Sequence, residues 1–360
     1  MRRFSWLVIG VIGWAALAMP AHAATRRVDC ASRHAALAGA IARARAGDTL
    51  RVRGRCDGPF DVARDLTLRG APHATLDGRG VSTTATVERH VHLRLVDVTV
   101  TNGSDVVGGG VFSGNPSLVV LIGSTVTGNR ASSDGGGIKA GGRLQLYRST
   151  VSRNRSGFIG GGISAGGLED QDYGVPGKVL VMSSTISGNH AGWGGGGIIT
   201  DGNRLRVIRS TIAANSAGTF GGGIDLLEVP DGTYVGASII AGNTAPSDAD
   251  CLLFGAMLPS AGWNVAGSSC GLDAAGDVVR DGRPATFGLG ALAARGGPAW
   301  TMPLAAGSVA VDAIPRGTRF CRAGGSPDER GVRRPLGAMC DVGAFELTPH
   351  LTGVAFPWRR

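Results

Sequence analysis

Apolar and polar positions along this chain recur with a period of about 25 residues. A Ser-Thr-aliphatic-x-x-Asn phrase occurs four times, and a run of glycines ending in isoleucine follows each copy. The phrases are STVTGN (Ser124–Asn129), STVSRN (Ser149–Asn154), STISGN (Ser184–Asn189) and STIAAN (Ser210–Asn215), and the glycine runs end at Ile138, Ile163, Ile198 and Ile224. Both series advance by 25, 35 and 26 residues, so they belong to one unit. Such a period predicts stacked coils.

Weaker copies at Val98–Asn102 and Ala237–Asn243 flank this series in phase, so about six coils are expected between residues 93 and 250. Within a unit, Leu144 and Leu146 alternate with more polar neighbours, which is the period-two pattern of a strand. We expect two or three short strands per coil, each parallel to the next coil at about 4.8 Å. The 35-residue step leaves Leu168–Lys178 as an extruded loop.

Both ends of the stack need covering, because an open end exposes unpaired backbone groups. Residues Ala35–Ala46 carry alanine, leucine and isoleucine at a helical period just before a strand that begins at Thr49, and we predict that they form an N-terminal capping helix. The predicted fold class is therefore an all-β parallel β-helix with this helix at its start. We expect a signal peptide in 1–23, the N-terminal cap in 24–60, coils in 61–250, C-terminal coils and a far cap in 251–346, and a tail in 347–360.

The coil asparagines allow two interpretations. They are Asn129, Asn154, Asn189 and Asn215. They could line a ligand channel, but a structural ladder is favoured, in which each side-chain amide bonds the next coil. Asparagine also tolerates the left-handed backbone of a tight corner, so we expect it to turn the chain.

The start of the chain predicts export. Basic Arg2 and Arg3, the apolar stretch Trp6–Ala18 and the small-x-small site Ala21–Ala23 are typical of a secretory signal peptide, and its apolar run is short for a membrane anchor. Its removal would lower the formal net charge from +9 to +7. The arginines are scattered without interleaved aromatics, so nucleic acid is not expected as a partner, and weak attraction to acidic polysaccharide is favoured over it. No transmembrane segment is expected in the mature chain, and the location is extracellular, cell-surface or periplasmic.

Six cysteines in an exported chain predict disulfides. They fall into three local pairs, although six cysteines allow 15 pairings. The local pairs are Cys30 with Cys56, Cys251 with Cys270, and Cys321 with Cys340. All six lie outside the coil repeat, towards its two ends, and no Cys/His spacing suggests a metal site.

Chemistry is expected in the loops that follow the glycine-isoleucine strands, because loops on a rigid scaffold concentrate binding residues. The candidates for ligand or Ca²⁺ binding are Glu169, Asp170, Asp172, Tyr173, Asp201, Glu228 and Asp231. Three uses stay open: a solvated acidic surface, a Ca²⁺ site of oxygen ligands, or a carboxylate pair for acid/base work on a glycosidic bond. No catalytic residue is assigned, and no cofactor other than Ca²⁺ is suggested.

Two further sets of side chains bear on sugar chemistry. A lyase needs a base, and Lys178, Arg204 and Arg206 are available, although nothing separates them from ordinary exposed basic residues. Trp193 and Phe220 take corresponding positions before the glycines, where they either stack on sugar rings or pack on each other.

Several of these phrases together resemble a known family. STxxxN and GGGI resemble right-handed parallel β-helix proteins of the pectin-lyase-like superfamily with polymorphic-outer-membrane-protein-like repeats. Ala36–Val52 resembles the capping helix and first strand of that superfamily, and Asp328–Glu346 resembles the C-terminal module called choice-of-anchor Q. The resemblance implies a right-handed, single-stranded β-helix that is secreted or surface-bound. It implies no mechanism, since lyases, hydrolases, adhesins and phage-tail proteins share the fold.

The function expected from the sequence is that of a secreted or cell-surface scaffold, similar to an adhesin, that recognises polysaccharide or another cell without catalysis. The alternative is a polysaccharide lyase or glycoside hydrolase. Charged residues converging in a cleft beside the insert loop would favour the enzyme, and a flat, evenly polar wall would favour the scaffold.

Overall fold

The computed structural model of the protein describes residues 23–166, 177–253, 257–322 and 324–348. These residues form a parallel β-helix of about nine turns, and its N-terminal end is capped by the one α-helix that they contain. The insert Leu168–Lys178, apart from its last two residues, lies outside the described residues, as do Glu169, Asp170, Asp172 and Tyr173.

The N-terminal coils consist of long strands. Helix α1 buries Leu37 and Ile41 against the first of these coils, so the expected helix is present in a shorter form. The elements are β1 (Thr25–Asp29), α1 (Ala36–Arg43), β2 (Thr49–Asp57), β3 (Phe60–Val62), β4 (Leu66–Asp77), β5 (Ala85–Val87), β6 (His92–Thr101), β7 (Ser104–Asp105) and β8 (Val111–Ser113). Strands β1, β2, β4 and β6 pair in parallel, so the stack begins before residue 61.

Each of the four central coils has four strands, more than the two or three that the sequence predicts. The additional strands are only two or three residues long, too short for a visible alternation. The strands are β9 (Leu118–Ile122), β10 (Thr125–Thr127), β11 (Arg130–Ala131), β12 (Ile138–Ala140), β13 (Arg143–Tyr147), β14 (Thr150–Ser152), β15 (Arg155–Ser156), β16 (Ile163–Ala165), β17 (Lys178–Met182), β18 (Thr185–Ser187), β19 (His190–Ala191), β20 (Ile198–Thr200), β21 (Arg204–Ile208), β22 (Thr211–Ala213), β23 (Ser216–Ala217) and β24 (Ile224–Leu226).

The chain then completes the stack and leaves it. The remaining elements are β25 (Tyr234–Gly236), β26 (Ile239–Ile240), β27 (Cys251–Leu253), β28 (Val265–Ala266), the 3-10 turn Ser268–Cys270, β29 (Val278–Val279), the 3-10 turn Pro284–Phe287, β30 (Ala293–Ala294) and β31 (Trp300–Thr301). Only β30 and β31 pair antiparallel among these strands.

Equivalent strands of successive coils stack into four faces. Face 1 contains β9, β13, β17, β21 and β25; face 2 contains β10, β14, β18, β22, β26, β28 and β29; face 3 contains β7, β11, β15, β19 and β23; face 4 contains β3, β5, β8, β12, β16, β20, β24 and β27. The long strands β2, β4 and β6 join faces 1 and 2. Inward aliphatic side chains such as Val126, Val151 and Ile186 lie opposite one another and fill one continuous core.

The corners explain where left-handed backbone is needed. Gly128, Arg153, Gly188 and Ala214, each directly before a coil asparagine, have φ of 67°, 53°, 69° and 59°. The four asparagines themselves are not left-handed, so the expectation that asparagine makes this corner was wrong by one position. Asn102 (φ 54°) pairs with this corner residue and not with Asn129, so the copy at Val98–Asn102 ends one residue early.

The glycine run has a steric cause at each position, as Gly135–Gly137 shows. Gly135 turns the chain with φ of 65°, a region that costs other residues about 1–2 kcal/mol. A Cβ on Gly136 would lie 2.4 Å from the carbonyl of Arg155, and one on Gly137 would lie 2.8 Å from Nδ2 of Asn154. The run is therefore dictated by the close approach of the next coil.

The coil asparagines lie in one column and are bonded to each other. The Nδ2 amide donates to the Oδ1 of the next coil from Asn129 to Asn154 (3.0 Å), from Asn154 to Asn189 (3.0 Å), from Asn189 to Asn215 (2.9 Å) and from Asn215 to Asn243 (2.9 Å). All are buried. A parallel column of Ser124, Ser149, Ser184, Ser210 and Ser238 accepts a backbone N–H from the preceding coil on each hydroxyl.

The residues beyond 283 form a unit that we call the C-terminal block (284–322 and 324–348). They fold back along the outer side of the coils, where Phe287 and Phe345 share a second apolar cluster with Ile208 and Ile239. The block reaches the corner of an early coil, where Pro298 lies beside Gly123. Apolar positions on the outer side of the helix are thereby covered.

The three expected cysteine pairs are disulfides in the structure. Cys30–Cys56 joins the turn before α1 to β2, Cys251–Cys270 closes the last coil of face 4, and Cys321–Cys340 lies inside the C-terminal block. No described helix is long and apolar enough to cross a bilayer.

Candidate polysaccharide-binding surfaces

The acidic loops are brought to one side of the stack, because the strands that precede them are paired. Leu227 donates its N–H to the carbonyl of Thr200 (3.1 Å), which places Asp201 and Glu228 on neighbouring coils. A Cβ on Gly202 would lie 3.6 Å from Oε2 of Glu228. Two of the candidate carboxylates therefore flank one glycine corner, while Glu169, Asp170, Asp172 and Tyr173 lie outside the described residues.

The loop of the remaining candidate, Asp231, is held by hydrogen bonds to its backbone carbonyls. Arg204 donates from Nε to the carbonyl of Asp231 (2.5 Å), and Arg206 donates from Nε to the carbonyl of Gly232 (3.0 Å). The guanidinium of Arg206 also lies 5.2 Å from the ring centre of Tyr234. Two of the basic residues that a lyase could have used as a base are thus engaged in fixing this loop.

A metal site requires several ligating side chains to converge on one point. Within residues 23–166, 177–253, 257–322 and 324–348, no three side chains of His, Cys, Asp or Glu converge in a way that would hold a metal ion. Asp201 and Glu228 alone supply at most four carboxylate oxygens, fewer than the six to eight that Ca²⁺ takes.

A row of arginines runs across the N-terminal coils. Arg27 of β1 lies opposite Arg51 of β2, which lies opposite Arg69 of β4, and all three are exposed. None of the three side chains has a hydrogen-bond or ion-pair partner within the part of the chain that the structure describes. Strands of neighbouring coils are 4.7–4.9 Å apart, so the row presents about one guanidinium per coil. We call it the arginine row.

Neighbouring arginines, unlike those of the arginine row, are paired with carboxylates. Arg55 lies 2.8 Å from Asp77, and Arg26 lies 3.4 Å from the buried carboxylate of Asp48. The backbone N–H groups of Arg45 and Ala24 that bond Asp48, helped by the charge of Arg26, hold the pKa of that carboxyl below its usual range. Pairing is therefore available on these coils, and the arginine row does not use it.

A second surface lies where face 3 turns towards face 4. It is formed by residues 155–158 and 190–193, and we call it the corner trough. Arg155 lies opposite His190, Trp193 donates its N–H to the carbonyl of Phe158 (2.8 Å), and exposed Gly157 and Gly192 lie between these two pairs. A Cβ on Gly192 would lie 2.0 Å from the carbonyl oxygen of Gly157, so the floor must be bare glycine.

The aromatic wall of the trough is exposed although its rings contact each other. Phe158 and Trp193 are stacked at 5.0 Å with 15° between their planes, and they are 42% and 38% exposed. Trp193 also meets Phe220 edge-on at 4.5 Å. In register, however, Trp193 corresponds to Phe158 and Thr219, and Phe220 corresponds to Gly194. The alignment of Trp193 with Phe220 from the sequence was therefore one residue out of register. It also did not include Phe158.

The opposite wall is polar. Burial, assisted by the positive charge of Arg155, lowers the pKa of His190 below its usual value, so its ring is neutral near pH 7. Its Nδ1 lies 2.9 Å from Oγ of Ser216 in the next coil. Arg155 is exposed, and its side chain has no hydrogen bond or ion pair to any described residue. The sequence signal for this surface is the phrase basic-small-Gly-aromatic after the coil asparagine, in RSGF and HAGW.

Asp225 lies behind the aromatic wall. It is fully buried on β24, and neither carboxylate oxygen has a hydrogen-bond partner among the described residues. A Cβ on Gly194 would lie 2.7 Å from its Oδ2 and 3.0 Å from Cε2 of Phe220, so these groups pack closely. Burial raises the pKa of Asp225 to about 7. The strand sequence IDL alternates aliphatic and polar residues, so it predicts an outward and exposed side chain for Asp225. Its burial could not be expected from this pattern.

The buried charged side chains of the C-terminal block have structural roles. Glu329 is fully buried and receives hydrogen bonds from Oγ1 of Thr150 (3.1 Å) and from the backbone N–H (3.2 Å) and hydroxyl of Thr185. Burial raises its pKa to about 8. Arg334 donates to the carbonyls of Asp341 (2.8 Å) and Gly343 (2.7 Å). These residues tie the block together and to face 2.

No family model, no curated protein and no solved structure matches this chain.

Proposed function

We propose that this protein is an exported scaffold that binds acidic polysaccharide. The observation that carries the proposal is the arginine row, Arg27, Arg51 and Arg69, in which three exposed guanidinium groups lie in register on successive coils. Two like charges about 4 Å apart repel by ~1 kcal/mol in water, so a bound polyanion would relieve the repulsion. Guanidinium also matches the two oxygens of a carboxylate.

A linear polymer of acidic sugars suits the row by its spacing. The row repeats along the stack at the strand separation of 4.7–4.9 Å, which is close to the length of one pyranose unit. B-form DNA carries one phosphate per 3.4 Å of helix axis on each strand, and the strand winds around that axis, so it follows a straight row less well. The three disulfides and the formal net charge, +9 for the full chain and +7 without residues 1–23, also support an exported protein with an anionic partner.

The family expected from the sequence enters this proposal as well. The capping helix, the stacked STxxxN and GGGI columns, and the C-terminal block support membership of the pectin-lyase-like β-helix proteins, with the block as a choice-of-anchor Q module. That assignment is compatible with a binding scaffold and with an enzyme.

The test is equilibrium binding of the purified mature protein to polygalacturonate, alginate and neutral dextran at low and raised salt. Arg27→Ala, Arg51→Ala and Arg69→Ala together should weaken binding to the acidic polymers roughly 3–150-fold, since each surface ion pair contributes about 0.2–1 kcal/mol. Raised salt should weaken it too. A matched control removes Arg280, Arg283 and Arg295, exposed arginines outside the row, with the same loss of charge.

The two triple variants distinguish attraction by net charge from binding at the arginine row. Equal loss in both triple variants would mean that net charge alone attracts the polymer, and it would remove the arginine row as the site. Absence of binding to either acidic polymer would contradict the proposed function.

A second candidate, a polysaccharide lyase or hydrolase, is favoured by one observation: Asp201 and Glu228 flank the same glycine corner. The same polymers are incubated with the protein with and without Ca²⁺, and unsaturated or reducing ends are measured. End release that is lost in Asp201→Ala would establish catalysis and replace the non-catalytic proposal.

A further inference from the structure

The corner trough has features of a sugar site that the arginine row lacks. Two of its aromatic rings are about two-fifths exposed, although each already contacts a neighbouring ring. Exposed aromatic surface on an otherwise polar corner is unfavourable in water unless something covers it. The part of these rings that stays exposed after packing is suited to the C–H groups of a pyranose.

The width of the trough suits one sugar chain. Arg155 and Phe158 are three residues apart, so their Cα atoms are at most ~10 Å apart. Between them the backbone of Gly157 and Gly192 forms a floor on which no side chain fits, since a Cβ on Gly192 would lie 2.0 Å from Gly157. The trough thus combines a flat floor, an apolar wall and a polar wall that repeats on the next coil.

The polar wall indicates the chemistry of the ligand. Arg155 supplies an exposed cation with no partner among the described residues, and His190 supplies a ring nitrogen for a hydroxyl group. No acidic side chain stands in residues 155–158 or 190–193 to neutralise the guanidinium. A sugar that carries a carboxylate would pair with Arg155 while its ring covers Trp193.

We propose that the corner trough is a second binding site, which holds one or two units of an acidic oligosaccharide, with a pyranose against the exposed surface of Phe158 and Trp193 and its carboxylate on Arg155. The inference deepens the proposed function by naming a short site on a different face from the arginine row. The arginine row would attract long chains by charge, and the trough would recognise individual sugar units.

The chain offers a matched control for the cation. Arg130 occupies the same position one coil earlier, paired with Arg155, and is also exposed, but its coil has Ser133 where Arg155 has Phe158. Arg155→Gln and Arg130→Gln remove the same charge from neighbouring positions in the same row. Only the first removes the cation of the coil that carries Phe158.

The experiment is calorimetric titration of the mature protein with a tetramer of galacturonate, and with the neutral galactose tetramer for comparison. Trp193→Ala and Arg155→Gln should each weaken binding of the acidic tetramer about tenfold, which corresponds to ~1.4 kcal/mol. Trp193→Phe should keep most of the affinity, and Arg130→Gln should leave it unchanged. The neutral tetramer should bind the wild type more weakly and should not respond to Arg155→Gln.

The outcomes distinguish this site from the proposed function. If the triple variant of the arginine row abolishes polymer binding while Trp193→Ala and Arg155→Gln bind the tetramer like the wild type, the trough is not a site and the proposed function stands. If Trp193→Ala lowers only the unfolding temperature, and Trp193→Phe restores that temperature, the aromatic wall is purely structural and the inference is overturned. If neither polymer nor tetramer binds the wild type, both proposals fail.

Discussion

Asp225 provides the sharpest physical test of the structure, because its carboxylate is fully buried without a hydrogen-bond partner among the described residues. Burial raises its pKa from 3.8 to about 7. The folded protein therefore holds this proton more tightly than the unfolded chain does. Stability contributed by the protonated group is fully present below about pH 4 and is lost progressively as the pH rises to about 7.

The size of the effect follows from the shift. Each pKa unit is worth 1.36 kcal/mol, so about three units correspond to a loss of ~4 kcal/mol in the free energy of unfolding. Asp225→Asn is close in shape to the protonated acid and does not titrate. The variant should match the wild type to within ~1 kcal/mol near pH 4 and exceed its stability by up to ~4 kcal/mol near pH 8.

The assay is urea unfolding followed by circular dichroism at several pH values across this range. Asp231→Asn, which removes a negative charge from an exposed loop, controls for the change in net charge. A stability difference between Asp225→Asn and the wild type that is the same at all pH values would refute the reasoning. So would a variant less stable than the wild type near pH 8, since the carboxylate would then be ionised and paired.

Three further predictions concern the coils and the C-terminal block. Ala214→Gly should raise the unfolding free energy by about 0.5–1 kcal/mol, because alanine is strained at its φ of 59° and glycine is not; urea unfolding measures it, and a destabilised variant would contradict the corner geometry. Asn189→Ala should cost about 3 kcal/mol, since the buried amide of Asn154 loses its acceptor; an unchanged midpoint would show that the ladder is not stabilising. Burial raises the pKa of Glu329 to about 8, so the wild type should lose roughly 3 kcal/mol between about pH 6 and pH 9. Glu329→Gln should not lose it, and parallel pH profiles in thermal unfolding would show that Glu329 does not titrate in this range.

The coil architecture was predictable because it is periodic. When a phrase such as Ser184–Asn189 recurs every 25 to 35 residues, parallel pairing puts equal side chains over each other, and the inward direction of Ile186 follows from its place in the phrase. The local disulfide pairs were predictable for a related reason, since each joins segments that are close in both sequence and stack. The corners were less predictable, because steric contacts decide which residue adopts the left-handed backbone conformation.

The candidate surfaces were only partly predictable. Asp201 and Glu228 were expected near each other because their strands are equivalent, and the structure places them on neighbouring coils. The trough depends on the exact step between coils. The expected contact between Trp193 and Phe220 is present, but the two residues are one position out of register, and Phe158 was missed. The return of the C-terminal block has no periodic signal at all. It results from tertiary packing of apolar side chains on the outside of the coils.

The end of the repeat has its own physical explanation in the direction of the ladders. Every rung of the asparagine ladder donates from its backbone N–H and its side-chain amide to the next coil, so the last rung needs an acceptor that has no donor of its own. Asn243 donates both groups to Oδ1 of Asp250 (2.9 and 2.8 Å). The serine column passes to Asn264, which donates both groups to Oδ1 of Asp277 (2.8 and 2.9 Å).

Both ladders thus end in the same way, on an aspartate that accepts two bonds. An asparagine at either terminal position would bring an extra amide with no further coil to receive it, and a buried unsatisfied donor costs about 1–3 kcal/mol. The change from amide to carboxylate therefore marks the last coil, and it does so within the sequence itself. The same rule would locate the end of the stack in any repeat whose rungs all donate in one direction.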